Sequence, residues 1–102
     1  MTILLSFVGI AVAALPDAEH VISQKGRQFR PGAIGLHPGE HITVVNDAAD
    51  LIHHAYIDAS DLTYDSGDQD PGTSAVISFP KGGDFLVLCG IHPKMKLTVH
   101  VE

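Results

Sequence analysis

Three metal-ligating side chains lie three residues apart in one segment near the C-terminus, Cys89-Gly90-Ile91-His92-Pro93-Lys94-Met95. A thiolate, an imidazole and a thioether are all soft or borderline metal ligands. The chain has one cysteine and two methionines, of which the other is Met1. A lone cysteine is often a small buried hydrophobe, and a lone methionine often fills a gap in packing. The segment therefore predicts a metal site only if the rest of the fold brings a further ligand to it.

Short apolar segments separated by turn residues fill the chain after His20, and no stretch has a convincing helical period. The last of them shows clean alternation, with Leu97, Val99 and Val101 on one face. Seven or eight short strands in about 90 residues predict an all-β fold, a two-sheet antiparallel Greek-key sandwich. The predicted strands are residues 20–23, 33–36, 41–46, 53–58, 74–79, 84–88 and 96–101, and residues 59–73 are predicted to form a loop.

A sandwich gathers the loops at one end of its strands, so the segment between the last two strands can meet residues that are distant in sequence. A site with one thiolate, two imidazoles and a weak axial thioether is the arrangement for blue copper, and it needs one more histidine. His53 and His54 offer two at the start of a predicted strand. Adjacent strand residues point to opposite faces, so we expect only one of them to bind the metal.

With these residues in place, the chain resembles the cupredoxins, the type 1 blue copper family of plastocyanin, pseudoazurin and amicyanin. The Cys-x-x-His-x-x-Met spacing, with Pro93 after the histidine, is similar to the amicyanin loop. Residues 33–46 resemble the family's strand, Pro-Gly turn, strand and terminal asparagine, and the similarity runs from about Ser23 to the C-terminus. The resemblance implies one copper ion per chain, with four ligands: His53, Cys89, His92 and Met95. It favours His53 over His54, which stands where relatives often have asparagine.

The resemblance also implies a function. We expect a single-domain electron carrier, not an enzyme, that moves one electron between larger redox proteins through Cu(II) and Cu(I). Redox partner proteins are expected to dock near His92, whose edge would reach the surface among Ile91 and Pro93, and the carrier is expected to be a monomer. The alternative is a copper-binding carrier or accessory protein that delivers copper without redox turnover, since the same ligands would serve. An enzyme built on this fold would need additional copper sites and domains.

Residues 1–14 are predicted to be a signal peptide, and residues 15–102 the cupredoxin domain. The apolar run is shorter than the roughly 20 residues that span a bilayer, and it ends in small residues. No Lys or Arg precedes it, so the other interpretations are a start further upstream, a weak signal, or a buried first strand. An exported chain would act in the periplasm or another extracytoplasmic space, without stable membrane insertion after processing.

The net charge excludes one class of partner, and the remaining polar residues are expected at the surface. A formal net charge of −6 argues against nucleic acid, which requires a basic face. The aspartates of residues 58–70 lack the order of an EF-hand loop, so we expect a solvated acidic loop. The other histidines, His20, His37, His41 and His100, are expected at the surface. One cysteine excludes an internal disulfide.

Overall fold

The computed structural model describes residues 20–102, in which nine short strands alternate with turns. None of these residues belongs to a helix long and apolar enough to cross a membrane. The predicted signal peptide, residues 1–14, lies outside the described residues. The strands are β1 (Val21–Lys25), β2 (Gln28–Arg30), β3 (Ala33–Leu36), β4 (His41–Asn46), β5 (Ala55–Asp58), β6 (Thr63–Asp65), β7 (Ser74–Ser78), β8 (Gly83–Cys89) and β9 (Lys96–Val101).

The strands form two sheets, with orders β2-β1-β4-β7 and β3-β9-β8-β5-β6. The predicted all-β, two-sheet sandwich is therefore confirmed. Two strand pairs, β1–β4 and β3–β9, are parallel, and the others are antiparallel, so each sheet is mixed. Alternation along a strand indicates which residues face the core, but it does not specify the direction of the neighbouring strand.

The inner faces of both sheets bury one apolar cluster, which explains why these segments form strands. In β9 the side chains of Leu97, Val99 and Val101 are buried and those between them are exposed. The rings of Phe79 and Phe85 pack with their centroids 5.7 Å apart. Full burial of one such apolar side chain contributes about 1.5–3 kcal/mol, so this shared cluster is the main source of stability.

Two short strands were not predicted. β2 pairs with β1, and β6, which lies inside the predicted loop of residues 59–73, pairs with β5. Both have three residues and lie at sheet edges, so they are too short to show a period of their own. β5 begins at Ala55, later than predicted, and His53 forms only an isolated bridge with Gln69.

The pairing of β5 with β8 positions the candidate site. Ala55, the first residue of β5, lies opposite Cys89, the last residue of β8. The segment that precedes β5, with His53 and His54, therefore lies at the same end of the sheet as the loop between β8 and β9. This loop holds residues 90–95, one residue shorter than predicted, because β8 extends to Cys89.

Candidate metal centre

Cys89 is the last residue of β8 and lies in the buried end of the sheet. It continues the inward-facing series of Phe85 and Val87 along β8, and only 2% of it is exposed. Its backbone is fixed by the register with Ala55 in β5. The thiol therefore lies at the end of the core, where β8 gives way to the loop.

Two imidazoles face this thiol. The Cys89 Sγ atom lies 3.9 Å from Nδ1 of His53 and 3.7 Å from Nδ1 of His92. The two rings have centroids 4.9 Å apart and are tilted by 60°. In the described part of the chain, this is the one group of three ligating residues whose donor atoms all lie within 4.8 Å of one another.

These separations fit a shared metal ion. With metal–sulfur and metal–nitrogen bonds of about 2.3 and about 2.0 Å, as in zinc sites, separations of 3.9 and 3.7 Å between the sulfur and the two nitrogens are short enough for one ion to be bound by all three. The donor set combines one thiolate with two imidazoles, which is the equatorial set of blue copper. The residues present therefore fit a copper ion in both distance and chemistry.

His53 is fully buried, at 0% exposure. Burial lowers the pKa of His53, and a positive charge on His92 would lower it further. The Gly26 carbonyl opposes this pKa shift, although Nε2 of His53 has no partner with hydrogen-bond geometry. His53 is thus neutral at neutral pH, which is the form of imidazole that binds metals.

His54 faces away from the cluster. Its Nε2 lies 2.5 Å from Asp65 and its Nδ1 lies 3.3 Å from Asp68. Its ring meets that of Tyr56 edge-on, at a centroid distance of 6.3 Å. The Gly67 N–H and the His54 side chain both lower the pKa of Asp65. The structure therefore brings His53, and not His54, to Cys89 and His92.

Met95 is the fourth predicted ligand, and it lies in the same loop. Its side chain is buried, with 1% exposed, and its backbone N–H donates to the carbonyl of His92 at 3.0 Å. The Gly90 N–H donates to the His54 carbonyl at 2.9 Å, which ties the start of the loop to the segment before β5. Both ends of the loop are thus held by backbone hydrogen bonds.

Solved structures share this architecture. A reduced mutant of amicyanin has a TM-score of 0.76 and 18% identity, covering 88% of each chain. The reduced Cu(I) form of a second amicyanin mutant, at pH 4, gives the same values. A Cu-containing nitrite reductase from Thermus scotoductus SA-01 has a TM-score of 0.77 and 24% identity over 87% of this chain. The chain has a cupredoxin fold. It spans only 23% of the reductase chain.

No protein-family model and no curated protein matches the sequence. The likeness to solved structures establishes the cupredoxin fold, which the resemblance implied. The expectation of one copper per chain agrees with the single cluster of His53, Cys89 and His92 in the described residues.

The other histidines of the cupredoxin domain lie outside the cluster. His20 contacts Glu40, and His37 contacts the backbone carbonyl of Glu102. His41 is exposed. His100 lies between Asp84 and Glu102, and both carboxylates raise its pKa. His37 and His100 are exposed as well, as expected, and His20 is half-buried.

A shallow depression opens beside the cluster on the surface of the cupredoxin domain. Its lining residues are Arg27, Ile91, His92, Pro93, Lys94 and Met95. His92 is half-buried, so one edge of its ring reaches this surface. The sequence does not predict Arg27 at this surface. Arg27 lies in the β1–β2 turn, which is distant from His92 in sequence, and the fold brings the two residues together.

Proposed function

We propose that this protein binds one copper ion through His53, Cys89, His92 and Met95 and carries single electrons between larger redox proteins. The observation that carries the proposal is the cluster of two Nδ1 atoms around the Cys89 Sγ at one end of a cupredoxin fold. The amicyanin structures that share this fold include a Cu(I) form. We also propose that it is not itself an enzyme.

Each residue has a distinct part in this function. The bound copper supplies a one-electron redox couple, since thiolate and thioether favour Cu(I) and imidazole accepts either state. Cys89 provides the thiolate from the rigid end of β8, and buried His53 provides an imidazole that solvent does not reach. Met95 would provide a thioether, a ligand that structural zinc sites do not normally use.

A fixed set of ligands serves electron transfer because little has to move when the charge changes. The β8–β5 register holds Cys89, and backbone hydrogen bonds hold His53, Gly90 and Met95. We therefore propose that the ligands are already arranged before the metal binds. His92 is half-buried whereas the other three residues are buried, so we propose that electrons enter and leave through His92.

We further propose that the protein works in the periplasm or another extracytoplasmic space after removal of residues 1–14. The composition of that segment supports export.

Redox cycling separates electron transfer from copper delivery. We load the protein with one equivalent of copper. It is expected to retain most of this copper through repeated reduction by ascorbate and oxidation by hexacyanoferrate(III). The measurement is copper per chain after each cycle and gel filtration, with a strong Cu(I) chelator present. Loss of the copper to the chelator on the first reduction would favour delivery and contradict the electron-carrier proposal.

The partner surface is proposed to be the depression around His92. Its apolar wall includes Ile91 and Pro93, and its cations are Arg27 and Lys94. The chain as a whole has a formal charge of −6, so these two cations are a local exception. Complementary charge steers encounter and sets orientation. We therefore propose a redox partner that presents carboxylates around an apolar centre.

Small redox reagents test the charge of this surface. At low ionic strength, Lys94→Gln is expected to slow oxidation of the Cu(I) protein by anionic hexacyanoferrate(III) about threefold or more, since a unit charge pair about 7 Å apart in water contributes about 0.6 kcal/mol. Added salt should remove the difference between wild type and variant. Stopped-flow rates across an ionic-strength series provide the measurement.

Lys81→Gln is the matched control, because Lys81 lies in the β7–β8 turn at the opposite end of β8 from Cys89. It removes the same charge and should leave the rate nearly unchanged. Equal effects of Lys94→Gln and Lys81→Gln would show that only net charge matters, and would contradict docking at His92.

A further inference from the structure

Two glutamine side chains form a buried pair near the candidate metal centre. Gln24 in β1 is 0% exposed and Gln69, before β7, is 4% exposed. The Gln24 Nε2 donates to the Gln69 Oε1 at 2.9 Å, and the Gln69 Nε2 lies 3.4 Å from the carbonyl of Val44 in β4. Buried amides destabilise a fold unless they are hydrogen-bonded. The hydrogen bonds of this pair offset the cost of burying the two amides and fix both side chains in place.

The backbone of Gln69 binds the backbone of His53 through two hydrogen bonds. The His53 N–H donates to the Gln69 carbonyl at 3.1 Å, and the Gln69 N–H donates to the His53 carbonyl at 2.7 Å. His53 lies in no strand, because β4 ends at Asn46 and β5 begins at Ala55. Its bridge to Gln69 thus provides the backbone hydrogen bonds that set its position.

Asn46 ties this bridge to the first sheet. Its Nδ2 donates to the Gln69 carbonyl at 2.8 Å and to the Leu51 carbonyl at 2.9 Å. Gln24 lies beside Asn46 in the parallel β1–β4 register. The side chains of Gln24 and Asn46 therefore hold Gln69 at its amide and at its carbonyl, and Gln69 in turn holds His53.

One buried polar atom of Gln24 and one of His53 lack a partner. Among buried side-chain nitrogens and oxygens of the described residues, Gln24 Oε1 and His53 Nε2 have no hydrogen-bond partner. The Gly26 carbonyl nevertheless opposes the lowering of the His53 pKa, so this carbonyl lies near the ring. Carbonyl groups around a metal-bound histidine fix its tautomer and orientation.

We propose that Gln69, anchored by Gln24, is a positioning residue for His53, which it holds in place for metal binding before any metal is present. The prediction for Cu(II) affinity rests on the proposed function, whereas the prediction for hydrogen exchange in the metal-free protein does not. The pair acts through His53 and touches neither the metal nor a redox partner.

The test is the double variant Gln24→Met/Gln69→Met, which removes both amides and keeps their approximate shape. Removing both partners of a buried hydrogen bond can leave stability nearly unchanged. We therefore expect an unfolding midpoint in urea close to that of wild type, together with Cu(II) affinity about tenfold weaker, as for other residues that support a metal ligand. The electron paramagnetic resonance spectrum of bound Cu(II) should also change.

Hydrogen exchange tests the metal-free protein. The amides of His53 and Gln69 should exchange at least about tenfold faster in the double variant, while those of β9 stay unchanged. Gln28→Met, at an exposed position in β2, is the matched control and should alter none of these quantities. If the double variant does not fold, exchange of the His53 and Gln69 amides in Gln24→Met tests the proposal instead.

Unchanged exchange at His53, with unchanged copper affinity, would overturn the proposal. Faster exchange at His53 in a protein that binds no copper would support positioning and contradict the proposed function. The two failures are thus distinguishable.

Discussion

Replacing His53 with alanine is expected to weaken Cu(II) binding about a hundredfold. A structural zinc site with four ligands has a binding free energy of about 10–16 kcal/mol, so one strong ligand contributes about 3 kcal/mol. This free energy corresponds to about two powers of ten in affinity. The Nδ1 of His53 faces the Cys89 Sγ at 3.9 Å, and its ring is fully buried. A water molecule could replace this ligand only by entering the core.

His54→Ala is the matched variant one residue later. The His54 ring contacts Asp65 and Asp68 and lies beside Gly90, and its backbone carbonyl accepts from the Gly90 N–H, a hydrogen bond that alanine keeps. We therefore expect Cu(II) affinity within about fivefold of wild type, since surface contacts of this kind with a carboxylate contribute at most about 1 kcal/mol. Competition with a chelator of known affinity measures both variants. A larger loss of Cu(II) affinity for His54→Ala than for His53→Ala would show that His54, and not His53, is the ligand.

The sequence alone predicted the parts of the site that depend on local pattern. β9 has the predicted bounds because its alternation is complete, and the ligand loop is placed by the apolar strand before it and β9 after it. It was also predictable that only one of His53 and His54 binds, because adjacent residues in extended chain point in opposite directions, whereas the choice of His53 came from the resemblance to cupredoxins. The structure places only His53 next to Cys89 and His92.

The parts that depend on long-range pairing could not be predicted. Gln24 and Gln69 are polar residues that a sequence pattern assigns to the surface, and both are buried because β1 and the segment before β7 meet behind His53. The edge strands β2 and β6 exist through their pairing with β1 and β5, not through a period of their own. Arg27 reaches the surface around His92 for the same reason.

Replacing Cys89 with serine is expected to remove the intense visible absorption of the copper protein. That band arises from charge transfer between a thiolate and Cu(II), and a serine oxygen is a harder ligand that cannot supply it. Serine is similar in size to cysteine, so the buried end of β8 should keep its fold. Met95→Leu is the control at the same site, because it keeps the thiolate and both imidazoles. The band should persist in that variant.

The most direct measurement is therefore a visible titration of the metal-free protein, residues 15–102, with Cu(II), beside Cys89→Ser. The account predicts an intense band that saturates at one copper per chain, bleaches with ascorbate and returns on reoxidation, and is absent from Cys89→Ser. A protein that binds copper without this band, or a band that survives in Cys89→Ser, would contradict the assignment of Cys89 as the copper thiolate.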